Sequence, residues 1–223
     1  MALKLGYWKE GGLAEPIRIL LHVLVQEYEN VTYEKPQDWF SLKKIRVENG
    51  DNFVNLPYLE DGDVFISETG AIPYYLCQKF NKDLYGKNVL DTTRIIQING
   101  VINDLHRAII FPAFTENPKE NVTEAVKEGS QYVGLVAKLA TFLGEKEFLL
   151  DYLTYADIRL AFKIFFHRSI ILSFDLEDPF AKHPNLLQYT KKIYEHDILK
   201  GYIGSENQYT PLDLPWFNEH PLP

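Results

Sequence analysis

The chain has 223 residues, a length that allows one large domain or two small ones. Its 23 Lys and Arg residues against 31 Asp and Glu residues give a formal net charge of −8. Because no dense basic run is present, a nucleic-acid partner is excluded. A hydrophobic content of 46%, with 14% aromatic residues, excludes an intrinsically disordered chain.

Targeting signals and membrane spans are not expected. Residues 1–4 lead directly into a strand-like segment, which predicts neither a signal peptide nor a transit peptide. The apolar runs are far shorter than the roughly 18 residues that cross a bilayer. Cys77 is the single cysteine, which excludes an intramolecular disulfide and a cysteine-based zinc cluster, and it is expected to be a buried apolar residue. The six histidines lack metal-ligand spacing, so we expect no metal and a cytoplasmic protein.

Strand and helix signals alternate in the first third of the chain. Period-two patterns indicate strands, helical spacing of apolar residues indicates helices, and an Asp61-Gly62 turn between two apolar runs indicates a hairpin. The predicted elements are, in order, strand 3–8, a helix opening at Glu15-Pro16 and reaching Tyr28, strand 31–34, a polar loop 36–52, strands 56–59 and 64–66, and helix 68–80. The βαβ-ββα order predicts a small mixed sheet.

Beyond residue 81 only helical periodicity is found. It predicts helices at 91–116, 119–143, 155–172 and 185–203, and an aperiodic tail at 205–223 that packs onto the body through Trp216 and Phe217. We therefore expect an α/β domain over 1–82, a linker over 83–90 and an all-α domain over 91–223. The run Thr154-Tyr155-Ala156-Asp157 predicts a capping box, with Leu153 packing on Ile158, which is on local grounds simply a well-capped helix start.

Five motifs in one order give a family resemblance. They are Leu5-Gly6-Tyr7-Trp8, the run from Gly12 to Arg18, the run from Asn55 to Leu59, the run from Ile66 to Ile72, and the capping box at Thr154. Together they make the chain similar to the cytosolic glutathione transferases, and most similar to the mu class. The resemblance covers nearly the whole chain and implies a thioredoxin-like first domain, an all-α second domain and a homodimer.

The resemblance implies that the thiolate of glutathione attacks an electrophile. Tyr7 matches the family's catalytic tyrosine, whose neutral hydroxyl stabilises the thiolate, although a tyrosine at a strand end more often serves packing. Pro57 matches a cis proline that presents the backbone of Leu56 to the cysteinyl residue of glutathione, whereas an ordinary proline would be trans. Glu68 and Thr69 stand where the family holds the γ-glutamyl end, in place of the more frequent Gln-Ser pair. The local alternative for these two residues is a favourable helix start.

The remaining glutathione contacts are also taken from the resemblance. Trp39 and Lys43 match a pair that faces the glycyl carboxylate, but the loop is about three residues longer than usual, so Lys44 or Arg46 could replace Lys43. Asp104 matches an aspartate that reaches the glutathione of the partner subunit, with an exposed helix acid as the alternative. The full set of implied glutathione residues is Trp8, Leu13, Trp39, Lys43, Asn55, Leu56, Pro57, Glu68, Thr69 and Asp104.

The resemblance also assigns an interface residue and a pocket for the second substrate. Phe53 matches the aromatic key that enters the partner subunit. Trp8, Leu13, the segment from Ile110 to Phe114 and the C-terminal tail are expected to hold a small apolar electrophile. Phe111 and Phe114 stand where mu relatives often have a tyrosine, which argues against epoxide-type substrates.

Two further functions use the same fold. A catalytically weak or inactive transferase-like subunit, structural or ligand-carrying, would explain the altered loop and Glu68. A glutathione-dependent isomerase or peroxidase would use the same thiolate. Retention on a glutathione column would separate the first of these from an active enzyme.

Overall fold

The computed structural model describes residues 3–209 as two compact units. Of the described residues, 3–82 and 198–209 form the first unit, and 83–197 form the second. The final stretch of the chain, including Trp216 and Phe217 of the predicted tail, lies outside the described residues.

A four-stranded sheet forms the centre of the first unit. Its strands are β1 (Leu3–Trp8), β2 (Tyr28–Tyr33), β3 (Tyr58–Asp61) and β4 (Val64–Ser67), in the spatial order β2-β1-β3-β4. Strand β1 runs parallel to β2 and antiparallel to β3, which pairs antiparallel with β4. The mixed sheet that the sequence predicts is confirmed, because a helical crossover joins the parallel pair and a tight turn joins the hairpin.

Three helices accompany this sheet: α1 (Glu15–Val23), α2 (Pro36–Glu48) and α3 (Ala71–Phe80). The sequence predicted a polar loop where α2 lies, and this was wrong. Pro36 occupies the first helical turn, where proline is tolerated, but Trp39 is the one buried residue of the helix. Phe40, Ile45 and Val47 are exposed, so α2 has no apolar face from which periodicity could have revealed it.

The second unit is built from five α-helices within the described residues. They are α4 (Val89–Ala113), α5 (Pro118–Val126), α6 (Gln131–Leu143), α7 (Tyr155–Ser173) and α8 (Pro184–Tyr194). Helix α7 is the central one, since its residues from Tyr155 to Ile164 are all buried and most of the later ones are as well. The α/β and all-α architecture is confirmed. No helix in the described part of the chain is both long and apolar enough to cross a bilayer.

Three predicted helices are shorter or broken in the structure. The first ends at Val23 and does not reach Tyr28, where β2 begins. The helix predicted over 119–143 is broken, because Gly129 adopts a positive φ of 80° and the side chain of Ser130 caps α6 by accepting from the N–H of Val133. The helix predicted over 185–203 ends at Tyr194. A short 3₁₀ turn at Asp197–Leu199 and a series of turns follow it.

The predicted capping box at the start of α7 is confirmed. The carboxylate of Asp157 accepts hydrogen bonds from the backbone N–H and the hydroxyl of Thr154, at 2.8 and 2.6 Å. It also accepts from the N–H of Leu149 and from the hydroxyl of Tyr189. Asp157 is fully buried, so these four bonds replace its lost hydration and fix the entry of the central helix.

Candidate functional site

The carboxyl end of β1 places Tyr7 in the interior of the first unit. The Tyr7 side chain is 6% exposed, and its hydroxyl oxygen accepts a hydrogen bond from the N–H of Leu13 at 3.2 Å. Burial raises the pKa of Tyr7 to about 12, against the smaller opposing effect of the Leu13 N–H. The phenol is therefore neutral at physiological pH, and its own proton is available for donation to an acceptor.

Gly12 allows the turn after β1 to approach the Tyr7 hydroxyl. Its φ is +44°, and a Cβ added there would lie 2.8 Å from both the hydroxyl oxygen and a ring carbon of Tyr7. Because both the backbone conformation and the space favour glycine, a residue with a side chain at position 12 would displace the phenol.

Tyr7 belongs to a largely aromatic cluster of buried residues. Leu56, Trp39, Tyr33 and Tyr58 are buried in the same cluster as Tyr7. The ring of Trp39 lies 5.7 Å from that of Tyr33 and 6.1 Å from that of Tyr58. With only 4% of its surface exposed, Trp39 is a packing residue of this cluster in the structure. Its role in glutathione binding stays a prediction.

The Leu56-Pro57 peptide bond is cis, as the resemblance implied. Leu56 is buried while the preceding Asn55 is exposed. None of the backbone hydrogen bonds found among residues 3–209 uses the N–H or C=O of Leu56. An extended ligand backbone could therefore pair with both groups.

Glu68 and Thr69 form the entrance to α3. Glu68 has a positive φ of 81°, which is uncommon for a residue with a side chain. Its carbonyl accepts hydrogen bonds from Ala71 and Ile72, both at 3.1 Å, so the strained residue initiates the helix. The Glu68 side chain is exposed and Thr69 is half-buried. Strained backbone of this kind is frequent at ligand-binding positions.

The three basic residues considered for the glycyl carboxylate all lie on α2, and their ion pairs distinguish them. Arg46 contacts the carboxylates of both Glu60 and Asp51. Lys44 pairs with Glu48 at 3.8 Å. Lys43 is half-exposed and has no ion pair within residues 3–209, so its charge is the one open to a ligand.

Phe53 stands out in the loop before β3. Its side chain is 84% exposed, while its carbonyl accepts a hydrogen bond from the hydroxyl of Ser67. An exposed phenylalanine on an anchored backbone is suited to insertion into another surface.

The remaining predicted residues belong to the second unit, on α4 or directly after it. Asp104 is exposed, and Ile110 is half-buried near the end of the helix. Phe111 and Phe114 are each 67% exposed, on either side of Pro112.

A pocket of the first unit lies at the carboxyl ends of β1 and β2, where Trp8, predicted to hold the electrophile, meets Tyr209 of the predicted tail. It has a volume of about 740 Å³, and Trp8, Tyr33 and Tyr209 are among the residues that line it. The resemblance assigned the tail as a whole to such a pocket, but it did not single out Tyr209, which follows Tyr33 by more than 170 residues. The charged residues Lys9 and Glu10, which follow directly on β1, were a local signal for this edge of the sheet.

Cys77 does not supply a reactive thiol to these residues. Cys77 is fully buried, and burial raises the pKa of its thiol to about 12. Among the described residues, no group of three or more His, Cys, Asp or Glu side chains could hold a metal ion.

Comparisons with known proteins agree on one family. Residues 3–78 match the family model described as "Glutathione S-transferase, N-terminal domain". Glutathione S-transferase 2 of Gallus gallus is 33% identical, over 97% of this chain and 96% of that protein. Glutathione S-transferase Mu 4 of Rattus norvegicus is 34% identical, over 73% and 78%. A solved structure of rat hPGDS complexed with a quinoline superimposes with a TM-score of 0.77 at 23% identity, over 91% of this chain and 96% of that one, which shows the same fold.

Proposed function

Because the chain belongs to the glutathione S-transferase family, we propose that it joins the thiol sulfur of glutathione to electrophiles with an apolar body. The sulfur forms a bond to an electrophilic carbon, the leaving group departs with the bonding electron pair, and the thiol proton passes to solvent. A free thiol has a pKa of roughly 8.5, so lowering it by about two units requires roughly 3 kcal/mol of preference for the thiolate.

The observation that carries this proposal is the state of Tyr7. Its hydroxyl is neutral, buried and held by the N–H of Leu13, so its proton can be donated to a sulfur anion. A hydrogen bond to a charged acceptor contributes about 1.5–3 kcal/mol, which is a large part of the required preference. Trp8 and Leu13 pack on the same cluster as Tyr7, and we propose that they line the position of the sulfur.

The rest of the glutathione molecule is assigned to residues of the first unit. We place its cysteinyl backbone against Leu56, next to Asn55 and Pro57. We place its γ-glutamyl end at Glu68 and Thr69. The glycyl carboxylate is assigned to Lys43, because Lys43 is the α2 cation without an ion pair in the described chain.

We take the contacts between subunits and with the electrophile from the family. We propose a homodimer in which the exposed Phe53 enters the partner subunit and Asp104 of each subunit serves the other's glutathione. Ile110, Phe111 and Phe114 are proposed to contact the apolar body of the electrophile. The proposed location is the cytoplasm.

The replacement Tyr7→Phe tests the catalytic assignment. It removes the hydroxyl and retains the ring, so packing in the aromatic cluster is preserved. We expect kcat with a generic aryl halide to fall about 30-fold, corresponding to about 2 kcal/mol. The thiol pKa of bound glutathione, measured from the ultraviolet absorbance of the thiolate, should rise by about 1.5 units.

Two controls make this result specific. Tyr75→Phe removes a hydroxyl that binds Asp61 elsewhere in the same unit, and it should leave both quantities unchanged. Retention of Tyr7→Phe on a glutathione column shows that the variant still binds its first substrate. Unchanged turnover and an unchanged thiol pKa in Tyr7→Phe would refute the assignment.

A further inference from the structure

The pocket at the carboxyl ends of β1 and β2 combines aromatic walls with charged side chains. Trp8 and Tyr33 are opposite each other in the parallel register, and their rings meet edge-on at 6.4 Å. Tyr209 is the third aromatic residue of the lining among the described residues. Trp8 and Tyr33 of the pocket pack in the same hydrophobic cluster as Tyr7, so this cluster connects the pocket with the residue proposed to hold the thiolate.

The wall made by Tyr209 is built into the fold. Asn30 donates a hydrogen bond to the Tyr209 hydroxyl at 3.0 Å, and the N–H of Tyr209 donates to Glu15 at 3.2 Å. The guanidinium of Arg18 lies over the Tyr209 ring, 4.2 Å from its centre. These contacts fix the ring, so the pocket has a defined shape on this side.

The charged side chains of the pocket are not balanced. Lys9 pairs with Glu34 at 2.6 Å, which joins the ends of β1 and β2 and neutralises both groups. The carboxylate of Glu10 has no hydrogen bond or ion pair within the described chain. Its charge also acts on Tyr7, where it adds to the rise in pKa of the phenol. Among the described residues that line the pocket, Glu10 is therefore the one charge without an ion-pair partner, and it acts on the residue proposed to hold the thiolate.

The surroundings of Glu10 favour a positive ligand. Loss of water on burial raises the pKa of Glu10, an effect that the nearby Arg18 opposes only in part. A cation in the pocket would replace that lost hydration, and the faces of aromatic rings also attract cations. An anion would instead meet Glu10 and the thiolate, both of which repel it.

We propose that this pocket selects electrophiles in which a flat apolar body carries a positively charged group, with Glu10 as the residue that determines this preference. The inference rests on the proposed transferase function and narrows its substrate class. The flat body lies against Trp8 and Tyr209, and the positive group lies at Glu10.

A set of three electrophiles with one reactive centre tests the proposal. We would use benzyl chlorides bearing a trimethylammonium, a methyl or a sulfonate group in the para position, with each enzymatic rate divided by the uncatalysed rate with glutathione. In the wild type, the normalised kcat/KM should be about 10-fold higher for the cation than for the neutral compound, and lowest for the anion. In Glu10→Gln, the ratio between cation and neutral compound should fall to about 1.

The matched control is Glu27→Gln, since Glu27 is an exposed acid of the same unit outside the pocket. It should keep the wild-type ratio. A wild-type ratio of cation to neutral compound near or below 1 would overturn the proposal. A ratio that is unchanged in Glu10→Gln would overturn it as well.

Direct binding separates this proposal from the transferase function. If neither the three electrophiles nor the generic aryl halide is turned over, the proposed function fails. The charge preference is then decided by calorimetry with benzyltrimethylammonium and benzenesulfonate. Tighter binding of the cation, lost in Glu10→Gln, supports a cation-selective pocket, and equal binding of the two probes overturns it.

Discussion

Gly12 controls the position of the proposed catalytic hydroxyl without taking part in chemistry. In Gly12→Ala, the new Cβ would lie 2.8 Å from the Tyr7 hydroxyl oxygen, so the phenol must move. A displacement of this kind at a reacting centre costs about 10- to 100-fold in rate. We expect kcat to fall by that factor, together with a rise in the thiol pKa of bound glutathione, measured as for Tyr7→Phe.

Gly62 provides the matched control for this substitution. It also has a positive φ, of 62°, but a Cβ there would meet nothing within 4 Å. Gly62→Ala therefore brings the backbone strain, about 1 kcal/mol, without the contact with Tyr7. If the two variants lose activity equally, strain and not displacement of Tyr7 accounts for the effect.

At the scale of elements, residues 198–209 return to the first unit and are attached to α1 by one buried carboxylate. Glu15 accepts hydrogen bonds from the Tyr202 hydroxyl at 2.7 Å and from the N–H of Tyr209. It also pairs with the buried Arg18 at 3.1 Å. The segment that forms one wall of the pocket therefore depends on a charge in the first turn of α1.

We expect Glu15→Gln to weaken this attachment. The amide can still accept hydrogen bonds, but Arg18 loses its counter-charge inside the protein, which costs about 3–5 kcal/mol in comparable cases. The free energy of unfolding, measured by denaturant titration, should fall by about 3–5 kcal/mol. Backbone amides of residues 198–209 should exchange hydrogen faster. Glu27→Gln, an exposed replacement of the same kind, should change neither quantity, and slow exchange retained in Glu15→Gln would contradict the prediction.

The sequence predicted those elements whose signals are local. The strands, the Asp61-Gly62 hairpin and the capping box at Thr154 depend on neighbouring residues, and all were found. Helix α2 was missed because it is buried only at Trp39 and lacks the apolar face that periodicity would reveal. The break at Gly129 had a local signal, a Gly-Ser pair, which the longer periodicity on both sides concealed.

The residues of the candidate site also divide into those with a local sequence signal and those without one. Tyr7 and Pro57 could be proposed because each belongs to a short motif at a strand boundary. Lys43 could not be separated from Arg46 without knowing the ion pairs of Arg46, which involve Asp51 and Glu60 outside α2. The contacts of Tyr209 with α1 depend on a chain reversal late in the sequence. No local pattern predicts such a contact.

At the scale of the whole molecule, the stability of the chain is expected to depend on pH through a buried basic cluster in the second unit. His106 of α4 contacts His167 at 3.0 Å and Lys163 at 3.3 Å, and Arg159 lies one turn of α7 away from Lys163. Burial, together with the nearby positive charges, lowers the pKa of both histidines. Tyr132 and Phe166, which also contact the His167 ring, are neutral.

His167 should make the folded protein less stable in mild acid. The unfolded chain binds a proton at this histidine as the pH falls through its ordinary pKa of 6.5, whereas the fully buried side chain stays neutral. Proton uptake by the unfolded state alone favours unfolding, so stability is lost below pH 6.5. Over the interval from pH 7 to pH 5 the loss amounts to about 2 kcal/mol for one histidine.

The replacement His167→Phe measures this contribution, because it retains a ring and removes the titrating group. The Nδ1 atom of His167 has no hydrogen-bond partner among residues 3–209. We expect denaturant titrations at fixed protein concentration to show that the wild type loses about 2 kcal/mol more than this variant between pH 7 and pH 5. His183→Gln, at a partly exposed histidine of the same unit, should follow the wild type. Parallel pH profiles for the wild type and His167→Phe would mean that His167 is protonated in the folded protein as readily as in the unfolded chain.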